Sequence, residues 1–170
     1  MTGSRKKTTG ALIWIIAGIA IGVILKLFVL DFLHISGTSM EPVIHDGSTV
    51  LVNKLAYGLV KPGSRDFFIQ WSQPQPGDIV IYLHDNKIVI KRCAAVSGTR
   101  LDYSDNSEYS LRVRDKKITL TKEQYELIHS SSYVPDGYIL ALGDNYDHSI
   151  DSRSYGFVSV KNIVGKVIGK

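Results

Sequence analysis

Pro76-Gly77-Asp78-Ile79-Val80-Ile81-Tyr82-Leu83-His84-Asp85-Asn86-Lys87-Ile88-Val89-Ile90-Lys91-Arg92 sets two short apolar runs on either side of a polar pair. Ile79–Leu83 and Lys87–Arg92 are rich in β-branched residues, which pack well on a pleated surface. Pro76-Gly77-Asp78 is turn chemistry leading into the first run, and Asp85-Asn86 between the runs predicts a hairpin. The pattern repeats outward from here. Thr49–Val52, Lys117–Leu120, Tyr138–Leu142 and Ile163–Ile168 are further runs of this kind, bounded by Gly, Pro, Asn or Asp. Pro135-Asp136-Gly137 again leads into one of them. The chain after residue 34 is therefore expected to be mainly β. Thr121–His129 reads equally as a loop or as a helix capped by Thr121 with Glu123 in its first turn. Gly58–Pro76 and Arg100–Ser132 lack periodicity and read as insertions or linkers.

Upstream lies a segment of another kind. Ala11–Leu30, ALIWIIAGIAIGVILKLFVL, is twenty positions with one charge, Lys26. As a helix it covers roughly 30 Å, the thickness of one hydrocarbon core. Lys26 stands near its distal end, where its head can snorkel to the lipid headgroups. Arg5-Lys6-Lys7 precede the run, which predicts a cytoplasmic N-terminus and an exported body. The expected organisation is residues 1–10 in the cytoplasm, 11–33 as membrane anchor and 34–170 as an extracytoplasmic domain. A cleavable secretory signal fits less well, because the run is longer than such segments and no Ala-x-Ala site follows it. A buried core helix would show an amphipathic stripe, and none is present.

Charge placement narrows the function. Arg5, Lys6, Lys7 and Lys26 against Asp31 give +3 before residue 34, which leaves the body at +1 of the total +4. A nearly neutral body argues against a nucleic-acid partner. Cys93 is the only cysteine, so neither an intrachain disulfide nor a cysteine metal cluster can form.

The first polar segment beyond the apolar run reads Ser36-Gly37-Thr38-Ser39-Met40-Glu41-Pro42. Gly37 through Pro42 resembles the nucleophile box of bacterial type I signal peptidases, Gly-x-Ser-Met-x-Pro. Pro76-Gly77-Asp78-Ile79-Val80 is similar to that family's next strand entry, and Ile90-Lys91-Arg92 to its lysine box. Gly143-Asp144-Asn145 through Ser149, Asp151-Ser152-Arg153 and Gly156 is similar to its closing box. The four stand in family order over residues 37–156. The resemblance implies a signal-peptidase-like β fold behind one transmembrane helix, with a small inserted cap reduced to about residues 100–133. It implies a serine endopeptidase that removes signal peptides, with Ser39 as nucleophile and Lys91 as general base, needing no cofactor and no metal. Ser149 would orient the Lys91 amine, Asp151 and Arg153 would form a supporting ion pair, and Asp144 would hold the same region. The backbone N–H of Ser39 would bind the oxyanion. Gly37 stands where some members carry a serine hydroxyl donor, so a second contact must come from backbone or water. Ile35, Gly37, Met40, Val89 and Ile90 are the expected substrate contacts. Signal peptides of preproteins, membrane lipids and nearby export machinery are the expected partners.

The residue types suit that chemistry. A serine hydroxyl is a poor nucleophile until a base takes its proton. Lysine can do so only when neutral, and burial lowers its pKa. Lys91 follows Ile88-Val89-Ile90, and strand alternation puts it on the face of Val89, opposite Ile90. Two positions depart from the pattern. Gly98-Thr99 stands where the lysine box usually closes Gly-Asp, and Tyr146 where an Arg commonly follows the Asn; both concern loop packing. A Ser-His-Asp hydrolase is weaker, since none of His34, His45, His84, His129 and His148 stands in a recognisable triad context. Metal hydrolysis lacks a His-Glu-x-x-His spacing. A specialised leader or pilus-maturation peptidase would share the same boxes, and an inactive membrane-tethered β scaffold is disfavoured by the presence of both Ser39 and Lys91.

Overall fold

The computed structural model describes residues 3–61 and 67–169, so part of the Gly58–Pro76 segment lies outside the described residues. Helix α1 (Gly3–Ile24) continues as a π turn over Leu25–Val29. Leu12, Ile13, Trp14, Ile15, Ile16, Ile19 and Ile21 on it are all exposed, so its apolar surface is not packed on the body. Gly10–Val29 is long and apolar enough to cross a membrane.

The helix ends earlier than the expected boundary at residue 33. Leu30–His34 is already strand β1, paired antiparallel with β2 (Thr49–Asn53) from Leu30↔Asn53 to His34↔Thr49. Two causes are local: the backbone of Leu30–His34 finds a ladder on β2, and Asp31 finds an ion-pair partner in Lys54, 2.8 Å away.

Strands β3 (Gly58–Val60) and β4 (Phe67–Gln70) form a short ribbon. The expected hairpin follows as β5 (Ile79–His84) and β6 (Lys87–Val96), in register from Ile79↔Arg92 to His84↔Lys87. Asp85 and Asn86 have φ of 47° and 62°, the left-handed pair that a two-residue hairpin turn requires.

Residues 100–133 make a small unit of their own. Strands β7 (Asp102–Ser104), β8 (Ser110–Val113) and β9 (Lys116–Thr119) form an antiparallel sheet, closed at its neck by a bridge between Arg100 and Tyr133. Thr121–His129 resolves as helix α2 (Lys122–Ile128). Thr121 Oγ1 accepts from the Gln124 N–H while the Gln124 side chain accepts from the Thr121 N–H, a reciprocal cap.

The chain returns through β10 (Tyr138–Leu142), helix α3 (Ser152–Tyr155), β11 (Val158–Ser159) and β12 (Ile163–Gly169). The main sheet runs β1-β2-β12-β5-β6-β10-β11. Each of its faces carries a buried apolar cluster. Along β5, Ile79 and Ile81 pack with Ile35, Met40, Ile44, Val50 and Val52, while Val80 and Tyr82 pack with Cys93, Ile139, Ala141 and Ile163. The first cluster gathers residues from the end of β1, from β2 and β5, and Ile90 of β6. Strands about 4.8 Å apart in a flat sheet would leave β1 and β6 nearly 20 Å apart. The sheet therefore curls round this cluster, and the segment after β1 comes to lie against β6.

Candidate active site

Gly37 starts the turn after β1, at φ +109° with its N–H donating to the Asp46 carboxylate at 2.7 Å. The Glu41 N–H donates to the Thr38 carbonyl, which closes a tight turn with Ser39 inside it. Met40, next in sequence, is driven into the curled core, only 2% exposed, and pins the turn from below.

Across the gap stands Lys91. It lies opposite Val80 in the ladder and is 5% exposed, with Val89 and Cys93 on its own face of β6. Its Nζ is 2.8 Å from Ser39 Oγ and 3.0 Å from the Ile90 carbonyl. Burial lowers its pKa. Asp151 opposes that shift and Arg153 reinforces it, so the two nearby charges work against each other and burial decides. An amine that sheds its proton readily, within hydrogen-bond reach of a serine hydroxyl, can act as a general base.

A loop from β10 to α3 holds this arrangement. The Asn145 N–H donates to the Ser39 carbonyl at 3.1 Å, and Asn145 Nδ2 donates to the Thr38 carbonyl at 3.2 Å. Asp151 is fully buried. Its carboxylate accepts from the Gly143 N–H, the Arg153 N–H and both Nε and a terminal nitrogen of Arg153, all within 3.1 Å. Arg153 also donates to the Tyr146 carbonyl at 2.8 Å. Asp144 forms a two-point pair with Arg92 at 2.6 and 2.7 Å, and Arg92 donates in addition to the Gly77 carbonyl. Arg92 thus ties the turn before β5, the lysine strand and the loop after β10 together.

The structure gathers Ser39, Lys91, Asp144, Ser149, Asp151 and Arg153 into one place, and it departs from one expectation. Ser149 is buried, but its Oγ has no hydrogen-bond partner among the described residues, so it does not hold the Lys91 amine in this structure. It sits instead against Gly143, where an added Cβ would fall 2.1 Å from its Oγ. Ile35 and Met40, expected as substrate contacts, are 7% and 2% exposed and pack in the core beneath Ser39. Val89 and Ile90 remain half-exposed. Sequence reasoning missed Asn145 and Arg92 as positioning groups, although both lie inside the motifs: each acts on a neighbour distant in sequence, and no local pattern reveals that.

The chain is matched from residue 7 to residue 169 by the family described as signal peptidase, peptidase S26. It belongs to that family. A signal peptidase I of Bacillus caldolyticus is 29% identical over 98% of this chain and 92% of its own length. A signal peptidase IB of Staphylococcus aureus is 31% identical over 91% and 85%. A crystal structure of a signal peptidase I from Enterococcus faecalis aligns at TM-score 0.44 and 24% identity over 57% of this chain and 98% of that one. As a member of the signal peptidase family, the chain is a serine peptidase hydrolysing peptide bonds.

Its two departures from the family pattern are absorbed locally. Tyr146 packs against the core of the 100–133 unit, and its ring lies 5.7 Å from the Arg153 guanidinium. Thr99 exchanges backbone hydrogen bonds with its surroundings, donating to Val96 and accepting from Val134 at the neck of that unit.

Proposed function

We propose that this chain is a membrane-anchored endopeptidase that removes signal peptides from exported preproteins, with Ser39 as nucleophile and Lys91 as general base. The 2.8 Å contact between Ser39 Oγ and the buried Lys91 Nζ carries the reading. Neutral Lys91 takes the hydroxyl proton as Oγ attacks the scissile carbonyl, and the Ser39 N–H binds the resulting oxyanion. The intermediate collapses with Lys91 returning its proton to the leaving amine. Water, deprotonated by Lys91, then hydrolyses the acyl-serine and regenerates both groups.

The substrate has an open edge to bind. Among the described residues, β10 pairs with β6 only from Arg92 to Val96, and Lys87–Lys91 are paired with β5 alone. An extended peptide can add to that edge through main-chain hydrogen bonds, with Val89 and Ile90 beside it. Residues 11–29 anchor the chain, and Arg5-Lys6-Lys7 orient it with its body outside. Residues 100–133 are an inserted cap.

Cleavage of a preprotein bearing Ala-x-Ala before its mature start tests the chemistry. Ser39→Ala and Lys91→Ala are each expected to lose activity by about four orders of magnitude, since nucleophile and base act as a unit. Replacing all five histidines leaves it intact. Activity that survives Lys91→Ala but not a histidine change moves the mechanism to a triad. A reporter fused after Lys170 is expected outside the cytoplasm, and a cytoplasmic signal reverses the assigned orientation.

A further inference from the structure

Lys54 binds both sides of the junction between helix and sheet. Its backbone N–H donates to the Val29 carbonyl at 2.8 Å. Its ammonium group donates to the carbonyls of Lys26 at 3.2 Å and Leu27 at 3.5 Å, and pairs with the Asp31 carboxylate at 2.8 Å. Lys26, Leu27 and Val29 belong to the π turn, Asp31 belongs to β1, and Lys54 follows directly on β2. The last carbonyls of a helix have no partner within it, and a cation placed there also meets the negative end of the helix dipole. Where the helix leaves a bilayer, water is too scarce to satisfy such carbonyls cheaply. No loop separates the π turn from β1, so the bonds of Lys54 brace a direct passage from helix to strand.

We propose that Lys54 is a positioning residue that fixes the tilt of the catalytic body on its anchor, and so sets how far outside the membrane a preprotein is cut. This rests on the reading of the chain as an anchored preprotein peptidase. Ser39 stands nine residues beyond Leu30, in the turn that follows β1. Five strand steps of about 3.3 Å give a lever of roughly 17 Å. A rotation of about 20° at its base moves the site by roughly 6 Å, the length of about two residues of extended substrate. Small freedom at the junction thus becomes a choice between neighbouring peptide bonds.

The test uses the full chain in phosphatidylethanolamine–phosphatidylglycerol vesicles with two substrates. One is a soluble peptide with a single site; the other is a preprotein whose sequence Ala-x-Ala-x-Ala offers two cuts two residues apart. Lys54→Met is expected to leave the peptide rate within about twofold and to change the ratio of the two preprotein cuts by about fivefold. Lys54→Arg keeps the wild-type ratio. An unchanged ratio in Lys54→Met, or an equal loss on both substrates, overturns the proposal. The junction is read separately by the distance between spin labels at Ala20→Cys and Thr119→Cys in detergent. Lys54→Met broadens that distribution, and an unchanged width also overturns the proposal. Failure of the anchored-peptidase reading looks different: wild type then spares the preprotein, which overturns the role in cut selection, while the label distance still broadens.

Discussion

At Lys91 the requirements of the proposed catalysis and of stability diverge. Burial disfavours the ammonium form, so the folded chain holds this group with a pKa below its ordinary 10.5. The sign of the consequence follows. Between the lowered folded value and the unfolded one, the unfolded chain binds more protons, so stability rises with pH across that window. At neutral pH the cost of Lys91 is still in place. Lys91→Met, similar in size and without the charge, is therefore expected to raise Tm at pH 7 by a few degrees, the shift that about 1 kcal/mol gives in a chain of this size. The gain should narrow towards pH 10, and the variant should be inactive. Thermal unfolding of both proteins at the two pH values checks it, and a lower Tm for Lys91→Met at pH 7 contradicts the cost. Activity of the wild type should climb with pH as Lys91 loses its proton; a profile flat from pH 5 upward excludes a lysine base. The apolar neighbours of Lys91 were legible in the sequence, since Val89 two residues away shares its face. The opposition of Asp151 and Arg153 was not, because it depends on where a loop sixty residues later is folded.

The loop from β10 to α3 shows what an element adds to its residues. Asp151 was readable as the partner of Arg153, two positions on. That its carboxylate also accepts from the Gly143 N–H, and so sets the loop that grips Ser39, could not be read, because that bond spans eight residues of irregular chain. Asp151→Asn keeps the shape but leaves Arg153, 2% exposed, without its counter-charge. A broken buried pair of this kind costs about 3–5 kcal/mol, so a marked fall in Tm accompanies the loss of activity. Gly143→Ala separates the two effects more cleanly. The new Cβ would lie 2.5 Å from the Ser39 carbonyl oxygen and 2.1 Å from Ser149 Oγ. The carbonyl is backbone and cannot swing aside, so the turn that carries Ser39 must shift. A displacement of even 1 Å at a reacting centre costs about a hundredfold in rate. Comparing kcat/KM for Gly143→Ala with that of Gly169→Ala, where the added Cβ meets only Leu51 at an ordinary 3.6 Å, isolates the steric contribution from that of a generic glycine substitution. Equal effects at both positions argue against it.

For the molecule as a whole, the sequence revealed strands and motifs but not the curl that joins them. Alternating apolar residues located the β5–β6 hairpin closely, because period and turn chemistry are local. The meeting of Ser39 and Lys91, fifty-two residues apart, depends on Ile35, Met40 and Ile44 sharing one core with Val50, Val52 and Ile81, and only the family resemblance anticipated it. The 100–133 unit is the sharpest case. Its aperiodic polar sequence reads as an insertion, and the Arg100–Tyr133 bridge at its neck makes it resemble one that could be removed. Its core says otherwise. Leu101, Leu111, Val113, Ile118, Leu120 and Ile128 pack in one cluster with Ala95 of β6 and Leu140 and Leu142 of β10. Tyr146 of the loop that grips Ser39 leans on the same cluster. Replacing residues 101–132 with a short Gly-Ser linker would therefore expose Leu140 and Leu142, each fully buried now, on the sheet that carries Lys91. Two leucines at roughly 1.5–3 kcal/mol each are a large share of a marginal stability. The shortened chain is expected to aggregate or to unfold at least 10 °C below the parent, with peptidase activity lost on soluble peptide as well as on preprotein. A shortened chain with parental Tm and peptide cleavage would show that the unit serves only as a cap, with no part in holding the sheet that carries Lys91.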